Sequence, residues 1–240
     1  MTSKTVYITF LFTCLFGCSS PSTEVEQTDR YVSADTAKDL RKEAEPHLIA
    51  SLHDTAFVSL KEYAGGFSYD MKYATSDNFL KKVVYDCGNC LVRKEVADAL
   101  IRANDSLQIY GVHIKFFDCY RPVDVQKQMW EIYPDARYVA NPYTTGSIHN
   151  RGGAVDITLV DDQGKELDMG TSFDFFGKEA HHAYTNLPDT VLANRKLLKT
   201  VMQSFGFNPI TTEWWHYNFR TSNKYSLSNF KPACDNEPDR

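Results

Sequence analysis

Apolar side chains recur at Val96, Ala99, Leu100, Ala103 and Leu107, the spacing of one helical face, which predicts a helix over residues 94–108. Gly111 ends that unit, and residues 112–117, rich in β-branched and aromatic side chains, read as a short strand. Pro122 suits the first turn of a second helix running to about residue 133. Residues 134–148 carry Pro, Asn, Thr and Gly and read as a loop. Residues 154–159 then alternate cleanly. Ala154, Asp156 and Thr158 share one face, and Val155, Ile157 and Leu159 share the other, which is expected to pack on the core. The clearest amphipathic helix spans 189–205, with Leu198, Val201, Met202 and Phe205 on one stripe and Gly206 as its stop. Trp215, Tyr217 and Phe219 alternate with His216 and Asn218 as a last core strand. Helices mixed with short strands, without regular βαβ alternation, predict an α+β architecture.

The N-terminus follows another pattern. Lys4 is the only charge before an apolar run from Val6 to Phe16, too short to span a bilayer and of signal-peptide length. Leu15-Phe-Gly-Cys18 resembles the lipobox of bacterial lipoproteins, which implies cleavage before Cys18 and its lipidation. Residues 1–17 are thus an expected leader, and residues 18–56 a polar tether with a possible helix. Residues 57–240 form the expected folded domain, at the periplasmic side or cell surface on a membrane anchor.

Hydrophobic content of 42% and aromatic content of 13% suffice for a packed core, and a net charge of -5 argues against a nucleic-acid binder. Of six cysteines, Cys14 leaves with the leader and Cys18 carries lipid. Cys87, Cys90, Cys119 and Cys234 remain, in a compartment that permits disulfides. Cys87-Gly-Asn-Cys90 has zinc-knuckle spacing but no second close pair, so one or two disulfides are expected, and the sequence does not choose their pairing.

The candidate chemistry lies in Ser147-Ile-His149-Asn-Arg-Gly-Gly-Ala-Val-Asp156 and, downstream, Glu213-Trp-Trp-His216. Two histidines and an aspartate make a plausible ligand set for a catalytic zinc, which takes three protein ligands and keeps one position open. A nearby carboxylate, Glu213, could shuttle protons. Strand positions three apart point to opposite faces, so Glu213 must lie in the turn before the last strand to share a site with His216. Arg121, where a strand hands over to a helix, suits a developing oxyanion or, equally, a structural ion pair. Each motif alone admits a duller reading as a surface histidine, a salt bridge or an aromatic strand.

Together they resemble the D-alanyl-D-alanine dipeptidases of the zinc D-Ala-D-Ala peptidase family. The resemblance rests on Asp70-Met-Lys-Tyr73-Ala-Thr-x-Asp-Asn78-Phe79, Asp118-x-Tyr-Arg-Pro, Ser147-x-His-x-Arg-Gly-x-Ala-x-Asp156 and Met169-Gly-x-x-Phe-Asp174-x-Phe. His181-His182, Asn194-Arg195 and Glu213-Trp-Trp-His216 complete it, over roughly residues 57 to 220. It implies the hedgehog/DD-peptidase-like fold, a small mostly antiparallel sheet flanked by helices. It implies one zinc per chain on His149, Asp156 and His216, with Glu213 as general base and then acid and Arg121 as oxyanion partner. Asp174, Tyr73 and Ser147 would surround the free amine of D-Ala-D-Ala or a related short peptide. His181-His182 is expected to brace the pocket wall, and Asn194-Arg195 to support the site from behind. The interval from Arg121 to His149 is shorter than in the vancomycin-resistance members, so the pocket rim differs. The leader and cysteines fit an exported scavenger of peptidoglycan-derived D-Ala-D-Ala. The alternatives are a carboxypeptidase trimming longer wall peptides and a non-catalytic module that binds them. Oligomeric state stays open.

Overall fold

The computed structural model describes residues 52–231 and Cys234. The expected leader, Cys18 and most of the tether lie outside them. Among the described residues no helix is long and apolar enough to cross a membrane.

The architecture is α+β. A two-stranded antiparallel pair joins β1 (Phe57–Ser59) to β3 (Leu91–Arg93). The main sheet has the order β2 (Ser68–Tyr69), β4 (Val112–Asp118), β5 (Ala154–Asp161), β7 (His216–Phe219), β6 (Phe207–Pro209). Only β2–β4 is parallel, and the other three pairings are antiparallel. Helices α1 (Leu60–Tyr63), α2 (Lys94–Gln108), α3 (Val123–Ile132) and α4 (Asp189–Ser204) complete the framework.

Helix α2 forms where its periodicity places it and buries Val96, Ala99, Leu100, Ala103 and Leu107 against β4 and α4. Leu100→Ala there would cost about 2–5 kcal/mol in lost transfer energy and residual cavity. Asn104 is the one polar side chain on the buried stripe. Its amide donates to the Gly66 carbonyl at 2.8 Å and its oxygen accepts the Ile114 N–H at 2.8 Å, so it links helix and sheet without an unpaired group. The second helix starts at Val123, with Pro122 as its extended cap. Helix α4 ends at Ser204, and Gly206 follows with φ 90°.

Strand β5 departs from the expected one-sided burial. Ala154, Asp156 and Thr158 are as buried as Val155, Ile157 and Leu159. The second face is covered by the loops that build the cavity described below, so this central strand is closed on both sides. The short strands β1, β2, β3 and β6 are two or three residues long, too brief to leave an alternation in the sequence.

Candidate active site

Three adjacent strands present their polar ends on one rung. Asp118 closing β4 faces Asp156 on β5, and Asp156 faces His216 opening β7. A register shift between Phe116 and Asp118 skips Phe117 and brings Asp118 opposite Asp156. A bulge of this kind re-aims a side chain where a regular ladder would have turned it away.

His149 reaches the same point from the loop before β5. It opens a 3-10 turn, His149–Arg151, which Gly152 ends at φ 70°. A Cβ on Gly152 would collide with the Phe57 ring and one on Gly153 with Ser222, so both glycines are needed to pass the chain under its neighbours. The Ser147 hydroxyl accepts the His149 N–H at 3.2 Å, and the Asn150 amide donates to the Arg121 carbonyl at 2.8 Å. Thus the loop is tied to the end of β4.

The three candidate ligands converge. His149 Nε2 lies 3.2 Å from His216 Nδ1 and 3.3 Å from Asp156 Oδ1, and His216 Nδ1 lies 3.0 Å from that same oxygen. The outer nitrogens decide what these atoms are. His149 Nδ1–H donates to the Cys119 carbonyl at 2.7 Å, and His216 Nε2–H donates to Asn218 Oδ1 at 2.9 Å. With those protons outward, both inner nitrogens turn lone pairs toward a carboxylate oxygen. A dication fits that donor set, two imidazoles and one carboxylate with their outer hydrogen bonds made. Without one, burial disfavours charge on His149, but Asp156 and Asp118 outweigh it and raise its pKa. Burial likewise opposes ionisation of Asp156, yet His149 and His216 hold it far below the usual carboxylate range.

Glu213 sits in the turn between β6 and β7, with Oε2 3.9 Å from His216 Nδ1. Burial pushes its carboxyl up to about 7. Arg121 is buried. Its Nε and Nη2 both donate to Asp118 Oδ2, at 3.1 and 2.5 Å, and Nη1 donates to Gln126 at 2.9 Å. Tyr85 and the Cys119 N–H occupy the other Asp118 oxygen at 2.5 and 2.9 Å. A guanidinium carries five N–H groups, so two remain for a ligand.

Asp174 lies on a loop at φ 57°, a left-handed conformation unusual for a side-chain-bearing residue. Tyr73 donates to both its oxygens at 3.1 and 3.2 Å. Burial, with Asp156 nearby, pushes its carboxyl up to about 8. The loop is anchored from α4, where buried Arg195 donates to the carbonyls of Met169 at 2.7 Å and Glu179 at 3.0 Å, and Asn194 to that of Asp168 at 2.9 Å. His181 and His182 lie outside the cavity, and burial lowers the His182 pKa to about 4.

His149, Asp156, His216, Glu213, Arg121, Tyr73, Ser147 and Asp174 all line one cavity of about 240 Å³. That is below the roughly 300–1,000 Å³ usual for drug-sized ligands. Sequence reasoning missed the role of Asp118, whose motif was visible but whose bulge was not. It also missed Gln126, Tyr85, Asn218 and the aromatic rim of Phe79, Tyr138 and Phe176. Asn218 was within reach, because alternation places it beside His216 on one strand face. The described cysteines pair as Cys87–Cys234 and Cys90–Cys119.

The family profile described as D-ala-D-ala dipeptidase, Peptidase_M15, matches residues 53–230. A D-alanyl-D-alanine dipeptidase of Escherichia coli K12 is 34% identical over 180 residues, covering 75% of this chain and 93% of its own. One from Enterococcus faecium is 30% identical over 187 residues, covering 70% and 93%. Among solved structures, a vancomycin resistance D,D-pentapeptidase mutant in complex with Zn(II) overlays with a TM-score of 0.36 at 18% identity, over 56% of this chain and 75% of that one.

Proposed function

This chain belongs to the D-Ala-D-Ala dipeptidase family, and from that premise we propose that it hydrolyses D-alanyl-D-alanine to two D-alanines with one zinc ion on His149, Asp156 and His216. The observation that carries the reading is the convergence of those three ligand atoms with Glu213 at their edge. A bound zinc ion supplies a water activated at neutral pH and polarises the scissile carbonyl. Glu213 takes the attacking water's proton and returns it to the departing amine, a role its carboxylate suits by lying at the edge of the three ligand atoms. The two unused N–H groups of Arg121 meet the charge that develops on the carbonyl oxygen, and Asp118 keeps the guanidinium in place. Asp174, with Tyr73, pairs the free α-amine, and Ser147 holds the ligand loop beside it.

The setting we propose is exported. Residues 1–17 serve as leader, lipidated Cys18 and a tether to residue 56 hold the peptidase domain at a membrane, and the domain recovers wall-derived dipeptide. The two disulfides support an oxidising compartment. Incorporation of labelled lipid at Cys18, abolished by Cys18→Ser, tests the anchor. For the activity, D-alanine release from D-Ala-D-Ala is compared with N-acetyl-D-Ala-D-Ala and L-Ala-L-Ala, alongside zinc content. Cleavage of the free D,D-dipeptide alone is expected. Preference for the N-blocked peptide would reassign the site to a carboxypeptidase.

A further inference from the structure

Next to the substrate cavity lies a second one of about 330 Å³, lined by Lys72, Asp77, Asn78, Lys81, Phe117 and Glu166 among others. The two cavities have Phe79 and Asp174 in common, so these side chains form the wall between them. The Phe79 ring is wedged among other rings. It meets Tyr73 edge-on at 6.3 Å, Tyr133 at 6.1 Å and Phe176 at 5.1 Å, and Phe176 stacks on Tyr138 at 4.5 Å. The chain on either side of it is tied down by Asn78. The buried Asn78 amide donates to the carbonyls of Lys72, Thr75 and Lys82 at 3.1, 2.7 and 2.8 Å, and its oxygen accepts the Leu80 N–H at 2.9 Å. A loop residue pinned on both sides by such an amide is a fixed wall rather than a flap.

We propose that Phe79 is the partition that sets substrate length, separating a two-residue site from a latent extension cavity able to take N-acyl or peptidyl D-Ala-D-Ala. The inference rests on the reading of Asp174 as the amine anchor. Whatever is attached to that amine must continue past Asp174, and there it meets Phe79. Asp174 rewards a free amine, and Phe79 denies room to a blocked one. The Asn78-Phe79 pair thereby gains a function that the chemistry at the metal does not require.

The test uses the zinc-loaded mature chain carrying Glu213→Ala, so that peptides bind without turnover. Calorimetry gives the Kd of D-Ala-D-Ala and of N-acetyl-D-Ala-D-Ala, with and without Phe79→Ala. Opening the wall is expected to lower the ratio of the blocked to the free Kd by about tenfold or more, the scale set by steric exclusion from a pocket. Phe79→Leu, which keeps most of the bulk, should leave the ratio nearly unchanged, and Phe79→Val replaces the alanine variant if that does not fold. An unchanged ratio in a Phe79→Ala protein with normal zinc content and Tm overturns the partition. Absence of D-Ala-D-Ala cleavage by the wild-type chain would instead overturn the dipeptidase reading, and the binding ratio would still judge Phe79.

Discussion

Asp118, Asp156 and His216 stand on a single rung of three neighbouring strands, whereas Phe79, Tyr138 and Asp174 of the same cavity all sit on loops. The sheet side is buried, and its hydrogen bonds interlock, with Arg121, Tyr85 and a backbone N–H sharing one carboxylate. The loop side is a rim of half-buried rings around one aspartate at positive φ. Groups proposed to hold a metal and a developing charge need positions fixed to fractions of an ångström, which the rung supplies directly for Asp156 and His216 and, through hydrogen bonds to Cys119 and Asp118 at the end of β4, for His149 and Arg121. Groups that choose a substrate sit where length and sequence change at low cost to the core. Damage to the sheet side should therefore appear in kcat or metal content, and damage to the loop side in which peptide is accepted.

The largest expected effect is at Glu213, which meets the sheet side from the turn before β7. Glu213→Ala should lower kcat by about 10²–10⁴-fold, the usual contribution of a positioned acid-base group. Zinc content measured by atomic absorption should stay near one per chain. Loss of zinc in this variant would make Glu213 a ligand and blur the division of labour.

Arg121 comes next and calls for a gentle substitution. Removing the guanidinium outright would strand Asp118 in the core, at about 3–5 kcal/mol. Arg121→Lys keeps the charge but loses the planar fork, and kcat should fall by about 10²–10³-fold with little change in KM. A rise in KM alone would move Arg121 to the binding side of the comparison.

On the loop side, Asp174→Asn removes the amine's charge partner. The expected loss is about 10–100-fold in kcat/KM for D-Ala-D-Ala, the worth of one charge-assisted hydrogen bond. Discrimination against the N-acetylated peptide should shrink in step. Equal losses on both peptides would show that Asp174 acts by supporting the fold.

Zinc removal probes both sides through pH. In the metal-free protein burial pushes the Glu213 and Asp174 carboxyls up to about 7 and about 8, so they cost stability as pH rises from the ordinary carboxylate range to those values. His149, raised by Asp156 and Asp118, contributes stability below its unfolded pKa and loses it as pH rises through the folded value. Asp156, shifted down, is ionised throughout and adds no slope there. All the slopes have one sign. The gain in Tm on adding zinc should therefore grow between about pH 5.5 and 8, where protons also compete less for the ligands. Scanning fluorimetry that finds a flat gain would break the account.

How much of this was legible beforehand divides along the same line. Helices α2 and α4 announce themselves by periodicity, because each buries a regular stripe, and strand β5 by its alternation in sequence. His149, Asp156, Glu213 and His216 are visible through spacing and neighbouring glycines, and Glu213 lies in the turn that alternation required. The second buried face of β5 was not visible, because loops distant in sequence cover it. The bulge that aims Asp118 leaves no mark on composition. Phe79 reads as one more apolar residue until its partners from three other segments stand around it.

The smallest effect on activity separates the two disulfides. Cys90 and Cys119 are fully buried, and the Cys119 carbonyl orients His149, so that bridge underlies the proposed metal ligands. Cys87–Cys234 closes a span of 147 residues, and Cys87 lines a different cavity together with Tyr85 and Lys231. Paired Cys87→Ser and Cys234→Ser changes should cost stability, about 2–5 kcal/mol for a native bridge, while kcat and zinc affinity stay within about twofold. Paired Cys90→Ala and Cys119→Ala changes should weaken zinc binding by about 10–100-fold, the effect of loosening a group that orients a ligand. Zinc competition with a chromogenic chelator reads both. If the Cys87–Cys234 variant loses as much zinc affinity as the Cys90–Cys119 variant, the ligands depend on the periphery, and the rigidity assigned to the sheet side is borrowed from the Cys87–Cys234 bridge.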